Sequence, residues 1–158
     1  MKYAAFRSIG AYIPPKIMTN ADFEKLIETR DEWITKRTGI KERRLAEDHE
    51  APSDLGAKAA EVAIKRANIS KDEIDLIICA TVTPDFLCMP STACLIASKI
   101  GITNVMAFDV SAACTGFVDI LNIAKAFMES SLKKNVLINR FVFYLWVYFL
   151  YCEIIFLC

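Results

Sequence analysis

The stretch that decides the fold is VMAFDVSAACTGFVDILNIAKAFMESS, residues 105–131. It opens with a short apolar run typical of a buried strand and continues with apolar residues at helical spacing. Cys114 lies at the turn that this pattern predicts between strand and helix. A strand that leads directly into a helix is the repeating unit of a parallel sheet covered by helices.

The segments around it repeat this alternation. Apolar runs at 73–84 (EIDLIICATVTP) and 135–138 (NVLI) predict two more buried strands. The pattern at 90–101 predicts a helix with Pro90 in its first turn and Gly101 at its end. We therefore predict an α/β fold with a parallel sheet.

The first 70 residues add one strand and three helices to this prediction. The strand is predicted within residues 3–13, before a pair of prolines. Asn20 and Thr29 are the predicted N-caps of two short helices, and Gly39 is the predicted stop of the second. Ser53 is the predicted cap of a longer amphipathic helix.

The composition excludes several classes of function. Nineteen Lys and Arg residues balance nineteen Asp and Glu residues, so no basic excess indicates nucleic-acid binding. Six cysteines include no Cys-x-x-Cys pair, and the chain has one histidine, so we expect no metal site and reduced thiols. The N-terminus lacks the pattern of a secretory signal, and we expect a cytoplasmic protein.

Cys114 has two interpretations from the residues alone. A free cysteine is most often a small buried hydrophobic residue. A cysteine at a helix N-terminus is also favoured as a thiolate, which is the nucleophilic form, and we expect the backbone amides of the first helical turn to be unpaired around Cys114. Gly116, two residues further on, allows another backbone or a ligand to approach closely. These observations leave both interpretations open.

Three segments resemble the β-ketoacyl-[acyl-carrier-protein] synthase III family, which starts bacterial type II fatty-acid synthesis. They are DEWITKRTGIKERR at 31–44, PSTAC at 90–94 and AFDVSAACTGF at 107–117, in the family's order and with compatible spacing. The resemblance extends from about residue 3 to Ile138. It implies the first half of a thiolase-like α/β fold, with a mixed, largely parallel sheet and covering helices.

The resemblance implies a role for each residue that matches a family motif. Cys114 matches the nucleophile that accepts an acetyl group from acetyl-coenzyme A. Thr29, Trp33 and Arg37 match residues that bind the coenzyme, and the four-residue spacing of the last two places them on one helical face. We expect this face to point toward the same cleft as Cys114, because the nucleotide and the thioester of one coenzyme must be bound together. Met89 matches the position that sets the length of the acyl pocket, on a loop that reaches across the family's dimer.

The resemblance also implies the reaction and the partners. The family condenses acetyl-coenzyme A with malonyl-acyl-carrier protein, as a homodimer and without a cofactor, because the coenzyme A thioester is a substrate. Its site includes a histidine and an asparagine from the second half. His49, the one histidine, lies in a charged segment that we expect to face solvent. We therefore expect this chain to be inactive alone; the alternative is a non-catalytic interaction partner or a frameshifted relic of the same enzyme.

The segment at 139–158 differs in composition from the rest. It holds eight of the seventeen aromatic residues, and its only charge after Phe141 is Glu153. Three interpretations stay open: a frameshifted end, a membrane contact, or a hydrophobic strand pair that completes the sheet. We expect residues 1–138 to form the family fold and 139–158 to lie outside it as an aberrant tail with no stable place.

Overall fold

A computed structural model of the chain describes residues 4–140, 143–144, 147–148 and 152–157. The strands are β1 (Ala5–Gly10), β2 (Lys16–Thr19), β3 (Glu42–Leu45), β4 (Leu76–Ala80), β5 (Met106–Val110), β6 (Asn135–Arg140), β7 (Phe143–Tyr144), β8 (Val147–Tyr148) and β9 (Cys152–Leu157). The helices are α1 (Asn20–Glu24), α2 (Asp31–Thr38), α3 (Pro52–Ala67), α4 (Thr92–Lys99) and α5 (Gly116–Glu129).

The main sheet has the strand order β1-β9-β6-β4-β5. β4 pairs in parallel with both β5 and β6, so that Ile78 lies opposite Phe108 on one side and Ile138 on the other. β9 is antiparallel to both of its neighbours, β1 and β6. The predicted mixed, largely parallel sheet with covering helices is therefore confirmed.

The side chains of β4 explain why both faces of the sheet are covered. Successive residues of a strand point to opposite faces. Ile77 and Cys79 belong to the core under α3 and α4, whereas Leu76 and Ile78 belong to the core under α5. A continuous apolar run is thus buried on both sides, which gives a three-layer α/β/α arrangement.

The helices begin at other residues than predicted. Thr19, not Asn20, caps α1, and its hydroxyl accepts from the backbone N–H of Asp22. The N-cap of α2 is Arg30, not Thr29; the Arg30 side chain makes no capping hydrogen bond, and the N–H of Asp31 donates to the carboxylate of Glu24 instead. The position of a cap depends on where the chain turns, which residue type alone does not determine.

Two further helix starts also differ from the prediction. Pro52 is the first residue of α3, so Ser53 lies inside the helix and is buried. Ser91 caps α4 with its hydroxyl, which places Pro90 before the helix. The predicted helix ends at Gly39 and Gly101 are confirmed, and both glycines have the positive φ of a helix stop.

Two strand features were not expected. β2 and β3 form an antiparallel pair that the sequence analysis did not predict, because the paired segments lie on either side of α1 and α2. β5 was expected to be fully buried, but its residues are half-buried and Met106 is exposed. The reason is its place at the edge of the sheet, where it pairs with β4 alone.

The last described residues bear on the tail. The backbone of β9 runs between β1 and β6, with Ile155 opposite both Ser8 and Leu137. This placement differs from the expectation that the whole tail lies outside the fold. It follows because the backbone N–H and C=O groups on the facing edges of β1 and β6 need hydrogen-bond partners, which the backbone of β9 supplies. The proposed division of the chain at residue 138 stays a prediction. No helix in the described part of the chain is long and apolar enough to cross a bilayer.

Candidate active site

Cys114 lies at the turn between β5 and α5, as predicted. A 3-10 turn, Ala113–Thr115, follows the strand and leads directly into the helix at Gly116. The thiol of Cys114 is exposed, whereas that of Cys79 on β4 is buried. The interpretation of Cys114 as a buried hydrophobic residue is therefore wrong, and its role as a nucleophile stays a prediction.

The backbone at this turn is strained. Ala113 has φ of 42°, in the left-handed region that residues with a side chain seldom adopt. Such residues cluster at sites where the fold holds a functional side chain in a required direction. An added Cβ on Gly116 would lie 3.0 Å from the Cβ of Ala80, so the glycine lets the turn pack directly on β4. The turn thus presents Cys114 to solvent on a tightly packed base.

The amides after Cys114 are not free. The N–H of Thr115 donates to the carbonyl of Ala112 at 3.1 Å, and the N–H of Gly116 donates to that of Ala113. The prediction of unpaired amides around the thiol is wrong for these two groups, because the 3-10 turn uses them in its own bonds. The hydroxyl of Thr115 donates to Asp119 at 2.8 Å, which ties the turn to the first turn of α5.

Trp33 and Arg37 form a stacked pair on the outer face of α2. The guanidinium carbon of Arg37 lies 4.8 Å from the centre of the Trp33 ring, which confirms that the two side chains face each other. Trp33 is 55% exposed, so its ring offers a flat apolar surface to a ligand. Thr29 and Trp33 line the same open cleft, of about 570 Å³.

The relation between this cleft and Cys114 stays a prediction. Two neighbouring clefts include Trp33 and Thr29 among their lining residues, and Cys114 lines neither of them. The sequence places the strand-to-helix turn and α2 almost eighty residues apart. A common cleft for thiol and coenzyme, which we expected, is therefore not established by the lining residues.

Met89 lies on a loop with an exposed apolar tip. Its side chain is exposed, as are those of Phe86 and Leu87. The base of the loop is closed by the N–H of Asp85, which donates to the hydroxyl of Thr92 at 3.4 Å. Large apolar side chains on a rigid base are typical of a surface that another molecule covers, and the assignment of Met89 to an acyl pocket stays a prediction.

Two carboxylates that hold this loop were not predicted from the sequence. The carboxylate of Asp109, on β5, accepts from the backbone N–H groups of Thr92 and Ala93 at 2.7 and 2.8 Å. The carboxylate of Asp85 accepts from the N–H and the hydroxyl of Ser53 at 3.0 and 2.5 Å. A single carboxylate inside an apolar strand run, as in FDV, was the signal that could have identified Asp109.

A charged pair supports the same region. Lys99 donates to the hydroxyl of Ser53 and to Asp54, at 2.6 and 2.5 Å. Burial raises the pKa of the Asp54 carboxyl, but the hydrogen bonds from Lys99 and from the backbone of Ala51 outweigh it, so the pKa lies below its ordinary value. His49 is exposed in a turn, as expected, and the described residues contain no cluster of metal-ligating side chains.

Comparison with known proteins supports the resemblance that the sequence motifs indicated. The family model of 3-oxoacyl-[acyl-carrier-protein (ACP)] synthase III matches residues 108–139, the segment that contains Cys114. The β-ketoacyl-[acyl-carrier-protein] synthase III of Aliarcobacter butzleri (strain RM4018) is 80% identical over 138 residues, which are 87% of this chain. The resemblance to β-ketoacyl-[acyl-carrier-protein] synthase III is confirmed.

Other relatives of this synthase III family agree. That of Sulfurimonas denitrificans is 66% identical over 138 residues, again 87% of this chain. These matches cover 41% and 42% of the two relatives, so the chain spans about two fifths of the length of the curated relatives it matches. The similarity thus concerns one part of a synthase III.

Solved structures confirm the thiolase-like fold. The 3-oxoacyl-[acyl-carrier-protein] synthase III from Aquifex aeolicus VF5 superposes with a TM-score of 0.91 at 40% identity, over 98% of this chain and 54% of that one. The priming β-ketosynthase of the R1128 polyketide pathway superposes with the same TM-score of 0.91 at 28% identity, over 99% of this chain and 50% of that one.

Proposed function

We propose that the chain is the nucleophile-bearing part of a β-ketoacyl-[acyl-carrier-protein] synthase III. The substrates are acetyl-coenzyme A and malonyl-acyl-carrier protein, and the reaction needs no further cofactor. The observation that carries the proposal is the exposed thiol of Cys114 on a strained strand-to-helix turn, inside the segment that matches the family. The high identity to synthases of that name supports it.

The first half-reaction uses the thiol directly. The thiolate of Cys114 attacks the carbonyl carbon of acetyl-coenzyme A, a new C–S bond forms, and the bond to the coenzyme's sulfur breaks. Coenzyme A leaves as a thiolate and takes up a proton. The adenine of the coenzyme stacks on Trp33, and the guanidinium of Arg37 meets a phosphate. Thr29, in the same cleft as Trp33, contacts the nucleotide.

The second half-reaction needs groups beyond these residues. Loss of carbon dioxide from the malonyl group generates a carbanion, which attacks the acetyl carbonyl and releases Cys114. Negative charge develops on a thioester oxygen and requires hydrogen-bond donors; loss of one such donor reduces the rate by about 10² to 10³. His49 is exposed in a turn and does not supply them. The chain alone therefore accepts acetyl groups without forming a ketoacyl product.

The surroundings of the reaction follow from the same proposal. The exposed tip at Phe86, Leu87 and Met89 is the part of the chain that a second copy covers in a homodimer, where Met89 limits the length of the acyl pocket. The protein works in the cytoplasm. The balance of charge and the lack of a basic excess favour acyl thioesters over nucleic acid as ligands.

The test separates the two half-reactions. The purified chain is incubated with acetyl-coenzyme A and malonyl-acyl-carrier protein, and both the chain and the carrier protein are weighed by mass spectrometry. We expect one acetyl group on the chain and no acetoacetyl product. A chain that gains no acetyl group supports the alternative, a non-catalytic partner of an intact subunit. Turnover to product would contradict the claim of inactivity.

Removal of the Trp33 ring is expected to weaken binding of coenzyme A. Stacking of a base on an aromatic ring contributes about 1–3 kcal/mol, so Trp33→Ala should raise the dissociation constant roughly five- to 150-fold. Trp33→Phe, which keeps a smaller ring, should lose less. Calorimetric titration with coenzyme A measures both.

The matched control for this prediction is Leu132→Ala. It removes an apolar side chain of similar exposure from the segment after α5, away from α2 in sequence. An equal loss of affinity in this variant would show a general effect of shortening an exposed apolar side chain instead of a loss of stacking at Trp33.

A further inference from the structure

We infer that Asn20 and Arg43 are positioning residues that fix the orientation of α2 and so place Trp33 and Arg37 for the coenzyme. The inference rests on the proposed function. Asn20 lies outside the motifs that resemble the family, and Arg43, near the end of the motif at 31–44, was given no role there. Both are buried, at 2% and 7% exposure, while the pair that they place is exposed.

The helix has two faces with different tasks. Successive helical residues are 100° apart, so Asp31, Thr35 and Thr38 share one face with Ile34, and Trp33 and Arg37 lie on the other. Ile34 is the one buried residue of the eight in α2. At the N-terminus, the backbone N–H of Asp31 donates to the side-chain carboxylate of Glu24 at 2.6 Å, which ties the start of α2 to the end of α1. One buried side chain and one exposed contact at its start constrain the rotation of this short helix only weakly.

The side-chain amide of Asn20 supplies a further, buried constraint on the helix. Its nitrogen donates to the carboxylate of Asp31 at 2.7 Å and to the carbonyl of Ile40 at 2.8 Å, with a longer contact to the hydroxyl of Thr35 at 3.3 Å. Asp31 is the first residue of α2 and Ile40 follows its C-cap. One amide group thus holds the inner face of the helix from its first turn to beyond its end.

Arg43, on β3, determines which way this amide points. Its Nη1 donates to the side-chain oxygen of Asn20, and its guanidinium carbon lies 4.3 Å from the centre of the buried Phe23 ring. The oxygen of Asn20 is therefore turned toward the cation and its NH₂ toward α2. The cation also polarises the amide, which strengthens the bonds that the NH₂ donates.

The free-energy cost of burying Arg43 indicates that this side chain has a role beyond stability. A buried guanidinium is expensive to desolvate, and among the ion pairs in the described part of the chain none includes Arg43. An apolar residue packed on Phe23 would fill the space at lower cost. A buried polar network favours one arrangement of the packed elements over its alternatives. Here the arrangement that it favours is one rotation of α2 about its own axis.

The test compares two acetyl donors that differ in the nucleotide. The chain is acetylated at Cys114 by acetyl-coenzyme A or by S-acetyl-N-acetylcysteamine, which has the thioester but no nucleotide. Asn20→Asp keeps an oxygen toward Arg43, removes the three donations and places a second carboxylate beside Asp31. We expect the rate with acetyl-coenzyme A to fall roughly tenfold, and the rate with the small thioester to stay unchanged.

Two further variants support this comparison. Thr35→Val removes one of the groups that the Asn20 amide contacts, with little change in shape. It should lower the ratio of the acetylation rate with acetyl-coenzyme A to the rate with the small thioester, by a smaller factor than Asn20→Asp does. Lys25→Ala breaks an exposed ion pair with Asp22 beside α1 and leaves Asn20 untouched, so its ratio should equal that of the unmodified chain. Trp33 fluorescence, read in a Trp146→Phe background, should change in Asn20→Asp and not in Lys25→Ala.

Each outcome decides the inference. Equal slowing with both donors in Asn20→Asp would show a general loss of structure and overturn it, as would an unchanged ratio in both network variants. A parent chain with no preference for acetyl-coenzyme A would overturn the proposed function, and this inference with it. A preference that is lost in Trp33→Ala but kept in Asn20→Asp would overturn the inference alone.

Discussion

Replacement of Cys114 by alanine is expected to abolish acetylation of the chain by acetyl-coenzyme A. The thiolate is the atom that forms the new bond, and alanine offers no nucleophile at that place. The strained turn at Ala113 and the packing of Gly116 on β4 do not involve the sulfur, so the variant should keep its fold. Intact mass measurement before and after incubation reports the acetyl group directly.

The chain offers matched controls for this experiment. Cys88 and Cys94 are also exposed thiols; Cys88 lies in the long loop between β4 and α4, and Cys94 lies in the first turn of α4, where its thiol contacts the carbonyl of Ala107 at 3.6 Å. Cys88→Ala and Cys94→Ala should be acetylated like the unmodified chain, whereas Cys114→Ala should not. Acetylation that persists in Cys114→Ala and disappears in either control would contradict the assignment of the nucleophile.

Gly10→Ala is expected to cause the largest loss of stability among single methyl additions in the described glycines. A Cβ at Gly10 would lie 2.4 Å from the carbonyl oxygen of Ala59 and 2.5 Å from the backbone nitrogen of Ala63. Both atoms belong to the backbone of α3 and cannot move without shifting the helix away from β1. Over-packing of this kind costs about 1–3 kcal/mol, occasionally more, and the fixed backbone places this site at or above the upper end.

The measurement is the midpoint of urea unfolding, followed by circular dichroism. Ile9→Thr serves as the control, because Ile9 is half exposed on the same strand and threonine keeps a β-branched side chain. Its free energy of unfolding should stay within about 0.5 kcal/mol of the unmodified chain. A Gly10→Ala midpoint equal to that of Ile9→Thr would mean that β1 and α3 are not in close contact.

The sequence predicted the parts of the fold that depend on local pattern. The continuous apolar run at 73–84 indicated a strand covered on both faces, and β4 is buried on both. The break between apolar run and helical spacing at Cys114 located the strand-to-helix turn that carries this cysteine. Three motifs in order indicated the resemblance to the synthase III family, which the comparisons confirm. These predictions succeed because burial on one or two faces imposes a period on the residues themselves.

Other features could be read only from the tertiary structure. Contacts between groups distant along the chain carry no local signal, as with Arg43 and Asn20, 23 residues apart, or Gly10 and the backbone of α3. Helix caps were misplaced by one to two residues, because a cap is defined by the turn that precedes the helix. The edge position of β5 follows from the order of strands in the sheet.

The sequence by itself therefore determined the α/β class, the resemblance to the synthase III family and the strand-to-helix turn that carries Cys114. Tertiary structure alone decided that the thiol is exposed, that the following amides are used within the turn, and that α2 is held by a buried amide and a cation. The physical reason is the same in each case. Periodic burial imposes a pattern of apolar and polar residues that can be read along the sequence. Exposure, side-chain orientation and hydrogen-bond partners are set only when separate segments of the chain pack together.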